Sequence, residues 1–187
     1  TDSVVYLADG KTGLNIIDIS ALETPTLIGV VDTPDYASSV ALAGGMAYVA
    51  DRASGLYVVN VSNAGAPEIV GTLDTPGMSV DLAVKDNVAY MADSESGLIV
   101  IDVSVPSLPR MLGSADTPGS ALGVALAGTL AYVADGGNGL LIYDVSFPAS
   151  PTLIGGLDTS GWALGVGVSS GFAYLASSEA GLEVIDI

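Results

Sequence analysis

The sequence repeats itself with a period of 42 residues, and this period constrains the fold more than any other feature. Five tyrosines mark it, at Tyr6, Tyr48, Tyr90, Tyr132 and Tyr174. The segments 32–73 and 116–157 are identical at 21 of their 42 positions. A period held without insertion or deletion indicates an array of one supersecondary unit. We therefore expect the chain to consist of copies of a single structural unit.

Each unit contains four segments typical of β-strands, which we name a, b, c and d in chain order. In the third unit they are 79–84, 87–93, 97–103 and 110–115, rich in Val, Ile, Leu and Tyr and bounded by Gly, Pro, Asp and Ser. The links 85–87 and 94–96 are too short for a parallel crossover, which needs about a dozen residues or more. Each unit is therefore predicted to be an up-and-down antiparallel sheet of four strands.

Side-chain size in strands a and c indicates how the units pack. Strand c of the third unit is apolar on both faces at 98–101, which is typical of a sheet covered on both sides. Strand a alternates large side chains (Val40, Leu42; Leu82, Val84; Val124, Leu126; Val166, Val168) with mostly small ones (Ser39, Ala41, Ala43; Gly123, Ala125, Ala127; Gly165, Gly167, Ser169). Small faces let successive a strands approach closely, as units converging on an axis require. The pattern favours a β-propeller with strand a innermost, whereas the hairpin-length links disfavour a parallel β-helix.

Several phrases of the repeat carry a family resemblance. They are 98–102 (LIVID), 131–135 (AYVAD), 139–146 (GLLIYDVS), Pro148, Pro151 and the pair Asp158 and Thr159. With these phrases the chain resembles the LVIVD-repeat family of β-propellers over its whole length, and it is similar at a distance to the YVTN-repeat propellers. The resemblance implies an extracytoplasmic protein, secreted or at the cell surface.

The strand count leaves the closure of the ring open. Residues 32–73, 74–115 and 116–157 are three complete units, and 1–31 and 158–187 are partial units that supply strands b to d and a to c. The prediction is one all-β repeat domain, a propeller of four-stranded antiparallel blades with 18 strands in total. A four-bladed ring would pair strand d of 25–31 with strand c of 181–187, and a five-bladed ring would keep two three-stranded blades. Neither closes neatly, so we expect a segment of a longer propeller or an assembly with further copies.

Composition excludes several classes of function. The net charge of −17 arises from 21 acidic residues against four basic ones, so nucleic acid is not an expected partner. Cysteine and histidine are both absent, which removes disulfides, thiolate sites and the commonest general base. No apolar run approaches the roughly 18 to 20 residues that span a membrane. The chain starts without Met or a signal-like segment, so we expect it to be processed or to be part of something longer.

Twelve of the 21 acids recur at three places in the repeat. Four end strand b, four lie late in strand c (Asp18, Asp102, Asp144, Asp186), and four open the d–a link. Aspartate suits such turns because its carboxylate accepts hydrogen bonds from nearby backbone N–H groups. The first and third sets would ring one end of the channel, as a candidate calcium site formed by Asp9, Asp32, Asp51, Asp74, Asp93, Asp116, Asp135 and Asp158. We favour the turn interpretation, because no D-x-D-x-D-G loop is present.

Positions that differ between units are the better candidates for partner binding. Just after the d–a link the units carry Tyr36, Met78, Ser120 and Trp162. Trp162 is either a contact anchor or, in the interpretation we favour, a side chain folded over its own blade. Asp81 and Lys85 break the small face of strand a in one unit only, where they either bracket a channel water or pair with neighbours.

Together these features predict a non-enzymatic propeller, a structural or protein-interaction module within a surface or multi-subunit assembly. Its expected partner is another protein or further copies of itself that complete the ring. No catalytic residue and, calcium apart, no cofactor is predicted. The alternatives are a carbohydrate- or calcium-binding module and a glycoside hydrolase, since carboxylates are the only groups available for catalysis.

Overall fold

The computed structural model describes residues 3–187, in which eighteen β-strands form five sheets and no helix occurs. Unit 1 contains β1 (Val4–Ala8), β2 (Leu14–Asp18) and β3 (Thr26–Val31). Unit 2 contains β4 (Ser39–Ala43), β5 (Met46–Ala50), β6 (Leu56–Asn60) and β7 (Glu68–Leu73). Unit 3 contains β8 (Asp81–Lys85), β9 (Val88–Ala92), β10 (Leu98–Asp102) and β11 (Arg110–Ala115). Unit 4 contains β12 (Gly123–Ala127), β13 (Leu130–Ala134), β14 (Leu140–Asp144) and β15 (Thr152–Leu157), and unit 5 contains β16 (Ala163–Ser169), β17 (Phe172–Ser177) and β18 (Gly181–Asp186).

Every sheet has the predicted up-and-down antiparallel topology, with strand order equal to chain order. Units 2, 3 and 4 contain strands a to d, unit 1 contains b to d, and unit 5 contains a to c. The all-β fold and the count of 18 strands are confirmed. The pairing that a four-bladed ring would need is not formed, since β3 pairs only with β2 and β18 only with β17. The five sheets form an open propeller-like array.

The b–c hairpin shows why the repeat needs glycine before leucine. Gly97 adopts a φ of +71°, and a Cβ at this residue would lie within 3 Å of the Ala115 carbonyl oxygen on strand d. Positive φ is accessible to glycine without steric cost. The tight turn therefore brings strands b, c and d together in a register shared by all complete units.

The core is divided among the four junctions between consecutive units. One cluster joins units 1 and 2, and others join units 2 and 3, units 3 and 4, and units 4 and 5. At the junction of units 2 and 3, Tyr48, Leu56 and Val58 pack with Ala89 and Met91. Burying one such large side chain contributes about 1.5–3 kcal/mol. Stability therefore depends on contacts between neighbouring units, as in other repeat proteins.

The inner strands approach one another closely, as their small side chains predict. A Cβ at Gly123 in unit 4 would lie 2.7 Å from the Cα of Gly165 in unit 5. The Ser39 hydroxyl in unit 2 donates a 2.7 Å hydrogen bond to the Asp81 carboxylate in unit 3. Neither contact leaves room for a large side chain at these positions.

Candidate functional site

The b–c and d–a links lie together on one face of the molecule, which we call the loop face. It consists of the b–c links 9–13, 51–55, 93–97 and 135–139 and the d–a links 32–38, 74–80, 116–122 and 158–162. Isolated β-bridges join the two sets across neighbouring units, in the pairs Gly10 with Ala37, Arg52 with Ser79, Ser94 with Ala121, and Gly136 with Ala163. In each pair both N–H groups donate to the opposite carbonyl at 2.9–3.2 Å. The loop face is therefore a continuous backbone-bonded surface.

Asp93 shows what the recurring aspartate at the end of strand b does. Its side chain is fully buried. Oδ1 accepts hydrogen bonds from the hydroxyls of Thr75 at 2.8 Å and Ser79 at 2.8 Å, and Oδ2 accepts one from the Gly77 N–H at 2.7 Å. The carboxylate thus ties strand b to the link that leads into strand a of the same sheet.

The other strand-b aspartates repeat this arrangement incompletely. Asp51 accepts hydrogen bonds from the Thr33 hydroxyl at 2.7 Å and the Asp35 N–H at 3.0 Å. Oδ2 of Asp135 accepts hydrogen bonds from the Gly119 N–H at 2.9 Å and from the Asn138 side-chain amide at 3.2 Å, while its Oδ1 is buried without a partner. Asp9, in the three-stranded unit 1, is exposed, and its Oδ2 accepts hydrogen bonds from the side chains of Thr12 and Asn15 in its own hairpin. In unit 5 the position is Ser177, whose buried hydroxyl has no partner.

The remaining acids of the candidate calcium ring differ from Asp51, Asp93 and Asp135 in their exposure. Asp32, Asp74, Asp116 and Asp158 are exposed at the start of the d–a links. Within residues 3–187, no three side chains of the His, Cys, Asp and Glu types stand close enough to hold a metal ion together. Of the eight predicted aspartates, Asp9, Asp51, Asp93 and Asp135 accept hydrogen bonds through their carboxylates.

The strand-c aspartates close the turn that follows them. Ser20, Ser104 and Ser146 donate their N–H groups to Asp18, Asp102 and Asp144 at 2.7–2.9 Å. Hydrogen bonds from Ser104, together with Arg110, lower the pKa of Asp102 to about 2. Arg110 forms a 2.8 Å ion pair with that carboxylate, although its own side chain is mostly exposed. The arrangement supports the turn interpretation of this set.

The variable positions cover the joints between units. Tyr36, Met78 and Trp162 are each between 43% and 49% exposed, and Ser120 is half-buried. The Trp162 ring covers Gly136 of unit 4, where a Cβ would lie 2.9 Å from the ring. The favoured interpretation, in which Trp162 folds over its own blade, is therefore wrong: the ring reaches back over the preceding unit. Tyr36 covers Gly10 of unit 1 in the same way.

Arg52 is a loop-face residue whose role the repeat alone did not reveal. Its guanidinium lies 4.8 Å from the centre of the Tyr36 ring, in a cation–π arrangement. Arg52 has a φ of +43°, at a position that glycine occupies in units 1 and 4. This conformation is unfavourable for a side chain with a Cβ. The sequence contains one indication of this residue, because Arg52 stands where units 1 and 4 have glycine.

Asp81 and Lys85 join consecutive units along the inner strands. Asp81 accepts hydrogen bonds from the Ser39 hydroxyl of unit 2 and from the Val124 N–H of unit 4 at 3.0 Å. The Lys85 ammonium donates to the Gly128 carbonyl of unit 4. Of the two predicted roles, pairing with neighbours is confirmed. These hydrogen bonds connect the inner strands of units 2, 3 and 4.

Comparison with known proteins was decisive for the family. A family model described as the LVIVD repeat matches five consecutive segments, at residues 4–33, 34–75, 76–117, 118–159 and 160–187. The chain belongs to the LVIVD-repeat family. The predicted membership is thereby confirmed over almost the whole sequence. No curated protein matches this LVIVD-repeat chain.

Solved structures similar to this LVIVD-repeat chain share its fold at low sequence identity. The computationally designed Ika8 protein matches with a TM-score of 0.79 at 9% identity, over all of this chain and 56% of that one. A functionally unknown protein from Desulfotomaculum acetoxidans DSM 771 matches with a TM-score of 0.76 at 17% identity, over 94% of this chain and 59% of that one. The designed Ika4 protein matches with a TM-score of 0.65 at 11% identity, over 81% of this chain and 91% of that one. The chain thus spans little more than half the length of the first two of these structures, and the likeness shows the fold alone.

The loop face combines buried, hydrogen-bonded carboxylates with exposed side chains that vary between units. Its buried carboxylates are engaged by hydroxyl and N–H groups, and its exposed side chains are aromatic, aliphatic and charged groups that differ from unit to unit. Residues 3–187 contain no helix long and apolar enough to cross a membrane.

Proposed function

We propose that this LVIVD-repeat propeller is a non-enzymatic structural or protein-interaction module that contacts its partner through the loop face. The supporting observation is that the buried and the exposed side chains of that face have different roles. The buried aspartates Asp51 and Asp93 hold the links in place, whereas Tyr36, Met78 and Trp162 are half exposed and differ between units. Trp and Tyr are enriched among the anchors of protein interfaces, and Met is enriched at interfaces as well.

The proposal includes an extracytoplasmic setting within a surface or multi-subunit assembly. Its support is the family, whose members are mostly surface or secreted proteins. The high negative charge is compatible with this setting, because it favours solubility and disfavours nucleic-acid contacts. The partner is therefore proposed to be a protein.

A pull-down from native membranes and culture fluid tests the interaction role. The bait is the wild-type chain, compared with a triple variant, Tyr36→Ser, Met78→Ser and Trp162→Ser. Phe147→Ser is the matched control, since Phe147 is 77% exposed in a c–d link away from the loop face. We expect a protein retained by the wild type and by the control but lost with the triple variant. Equal retention by all three baits would contradict the assignment to the loop face.

The absence of catalysis is tested separately with the purified chain on a panel of glycans. We expect no turnover. Hydrolysis abolished by Asp116→Asn, with unchanged circular dichroism, would contradict the proposal, because Asp116 is exposed and available to a substrate.

A further inference from the structure

The side chain of Arg52 stands on a backbone conformation that disfavours long side chains. Its φ is +43°, and two backbone hydrogen bonds with Ser79 of unit 3, at 3.2 and 3.0 Å, fix the chain there. Units 1 and 4 have glycine at this position, with φ of +57° and +55°, and unit 3 has the small residue Ser94. Residues other than glycine are uncommon at positive φ, and such strain concentrates at functional sites. The conformation therefore indicates a role for the arginine side chain that glycine could not fill.

An aromatic ring holds the Arg52 guanidinium in place. The guanidinium lies 4.8 Å from the centre of the Tyr36 ring. Tyr36 in turn covers Gly10 of unit 1, whose Cβ position is 2.8 Å from the ring. A guanidinium carries five N–H donors, and contact with an aromatic ring leaves these donors for an oxygen acceptor. The joint between units 1 and 2 therefore presents hydrogen-bond donors in a fixed position.

Two of the four basic residues of this acidic chain meet at the same joint. Arg110 is engaged in an ion pair, and Lys85 donates to a carbonyl oxygen. Lys11 and Arg52 are exposed, and neither forms an ion pair with any acid of residues 3–187. Both cations of the joint are therefore accessible to an anionic group of another molecule.

Lys11, Tyr36 and Arg52 line one cleft on the loop face, which we name the Arg52 cleft. Three links with a strand on either side form it: 9–13 between β1 and β2, 32–38 between β3 and β4, and 51–55 between β5 and β6. The equivalent positions of the other joints carry no cation; they are Ala53, Met78 and Ser94, then Glu95, Ser120 and Gly136, then Gly137, Trp162 and Ser178. The positive charge is thus a property of one joint and not of the repeat.

We propose that the Arg52 cleft binds one carboxylate of the partner protein, carried by an acidic side chain in an otherwise uncharged, apolar segment. The planar guanidinium matches a carboxylate through two parallel N–H donors, and Lys11 adds a second positive charge. Tyr36, which is 43% exposed, and Val80, which also lines the cleft, provide apolar contacts for the flanking residues. This inference rests on the interaction role proposed above and names the chemistry that the loop face recognises.

The acids around the cleft select for a group with a single negative charge. Asp9 also lines the cleft, and its Oδ2 accepts hydrogen bonds from Thr12 and Asn15. Asp35 is exposed, and its Oδ2 accepts one from the Ala53 N–H at 3.0 Å. These carboxylates and the net charge of −17 repel a polyanion. A single carboxylate in contact with the guanidinium gains more from that contact than it loses to the distant, screened charges.

The test is an NMR titration of the intact chain with two peptides that differ only in charge. The probe is acetyl-Leu-Glu-Leu-amide, and acetyl-Leu-Gln-Leu-amide is its uncharged counterpart. We expect the glutamate peptide to bind at least threefold more tightly and to shift the Nε–H resonance of Arg52, because the carboxylate accepts from the guanidinium. A smaller preference overturns the proposal.

Two variants matched in charge locate the binding. Arg52→Gly introduces the residue of units 1 and 4 and relieves the strain at positive φ, so we expect an unchanged or higher melting temperature and loss of the preference for the glutamate peptide. Arg110→Gln removes the same charge from strand d of unit 3, and we expect the preference to persist. Loss of the preference in both variants overturns the assignment. A preference retained by Arg52→Gly, with a lower melting temperature, would make the arginine a structural contact and also overturn it.

Two further measurements separate the competing ligand and the underlying interaction role. A peptide with phosphoserine in place of glutamate is expected to bind no more tightly than the glutamate peptide, and tighter binding overturns the choice of a carboxylate. Arg52→Gly is also added as a bait in the pull-down, where we expect reduced capture. Capture undiminished with this bait but lost with the triple variant overturns this inference alone. The titration needs no native partner, so the two proposals fail separately.

Discussion

The hydrogen-bonded carboxylate of Asp93 gives the sharpest test of how this array is held together. Asp93→Ala removes the acceptor for three buried donors, the hydroxyls of Thr75 and Ser79 and the N–H of Gly77. A hydrogen bond to a charged group contributes about 1.5–3 kcal/mol, and the losses are not additive. Thr75 and Ser79 lie 2.9 Å apart and can still bond each other. We expect Asp93→Ala to lower the free energy of unfolding by about 3 kcal/mol.

Two further variants calibrate that value. Asp93→Asn keeps the size of the side chain, and the two hydroxyls can rotate to accept from its amide group, so we expect a smaller loss of about 1 kcal/mol. Asp9→Ala removes the equivalent but exposed aspartate of unit 1, and its cost is expected to stay below about 1 kcal/mol.

The assay is urea unfolding followed by circular dichroism, with and without calcium. The predicted order of destabilisation is Asp93→Ala, then Asp93→Asn, then Asp9→Ala. Equal losses for Asp93→Ala and Asp9→Ala would refute the argument that buried hydrogen bonds explain the recurring acid. A calcium-dependent rise in the wild-type midpoint that disappears in Asp93→Ala would show instead that Asp93 is a metal ligand.

Three other expectations follow from the same contacts. Burial, with the charges of Asp135 and Asp116, raises the pKa of Tyr143 to about 12. Because the folded state favours the neutral phenol, stability is lost as pH rises from about 10 to 12. Tyr143→Phe should reduce that loss in alkaline unfolding curves. The lowered pKa of Asp102, about 2, means that its stabilising contribution is present above pH 3.8 and disappears as pH falls towards 2. Carboxyl NMR titration should place the midpoint of Asp102 near 2. A midpoint near 4 would contradict the contacts with Ser104 and Arg110. Glu183 has a buried Oε1 without a partner, at a position occupied by Ile99 and Leu141 in units 3 and 4. Glu183→Leu should therefore raise the free energy of unfolding by about 1–3 kcal/mol, measured as a higher melting temperature. A lower melting temperature would show that the carboxylate is needed.

Most of the fold followed from the repeat. The short links required antiparallel hairpins, and the small residues of strand a required close inner strands, as Gly123 and Gly165 show. Closure of the ring could not be predicted, because strand counts do not give the angle between blades. The sequence left the pairing of β3 with β18 open, and the structure excludes it.

The sequence predicted where the candidate site lies, but not the contacts and burial of its side chains. The gathering of b–c and d–a links on one face followed from the topology, and the structure confirms it. The direction of Trp162 did not follow, because a side chain at a joint between units can lie over either neighbour. The sequence also could not show that Asp93 is buried whereas Asp9 is exposed, since both occupy the same position in the repeat.

The sequence by itself determined the unit: its length, its four strands, its turns and its position in the LVIVD-repeat family. Local hydrogen bonding and side-chain periodicity act over a few residues, so the order of residues is enough to specify them. The tertiary structure alone decided which copies of an identical position are buried, bonded or open. Gly71 and Gly155 are the same residue in the repeat, yet one is covered by a neighbouring carbonyl and the other faces open space. That difference arises from the neighbouring unit, because the carbonyl that makes Gly71 a packing requirement belongs to Pro106, in the c–d link of the next unit.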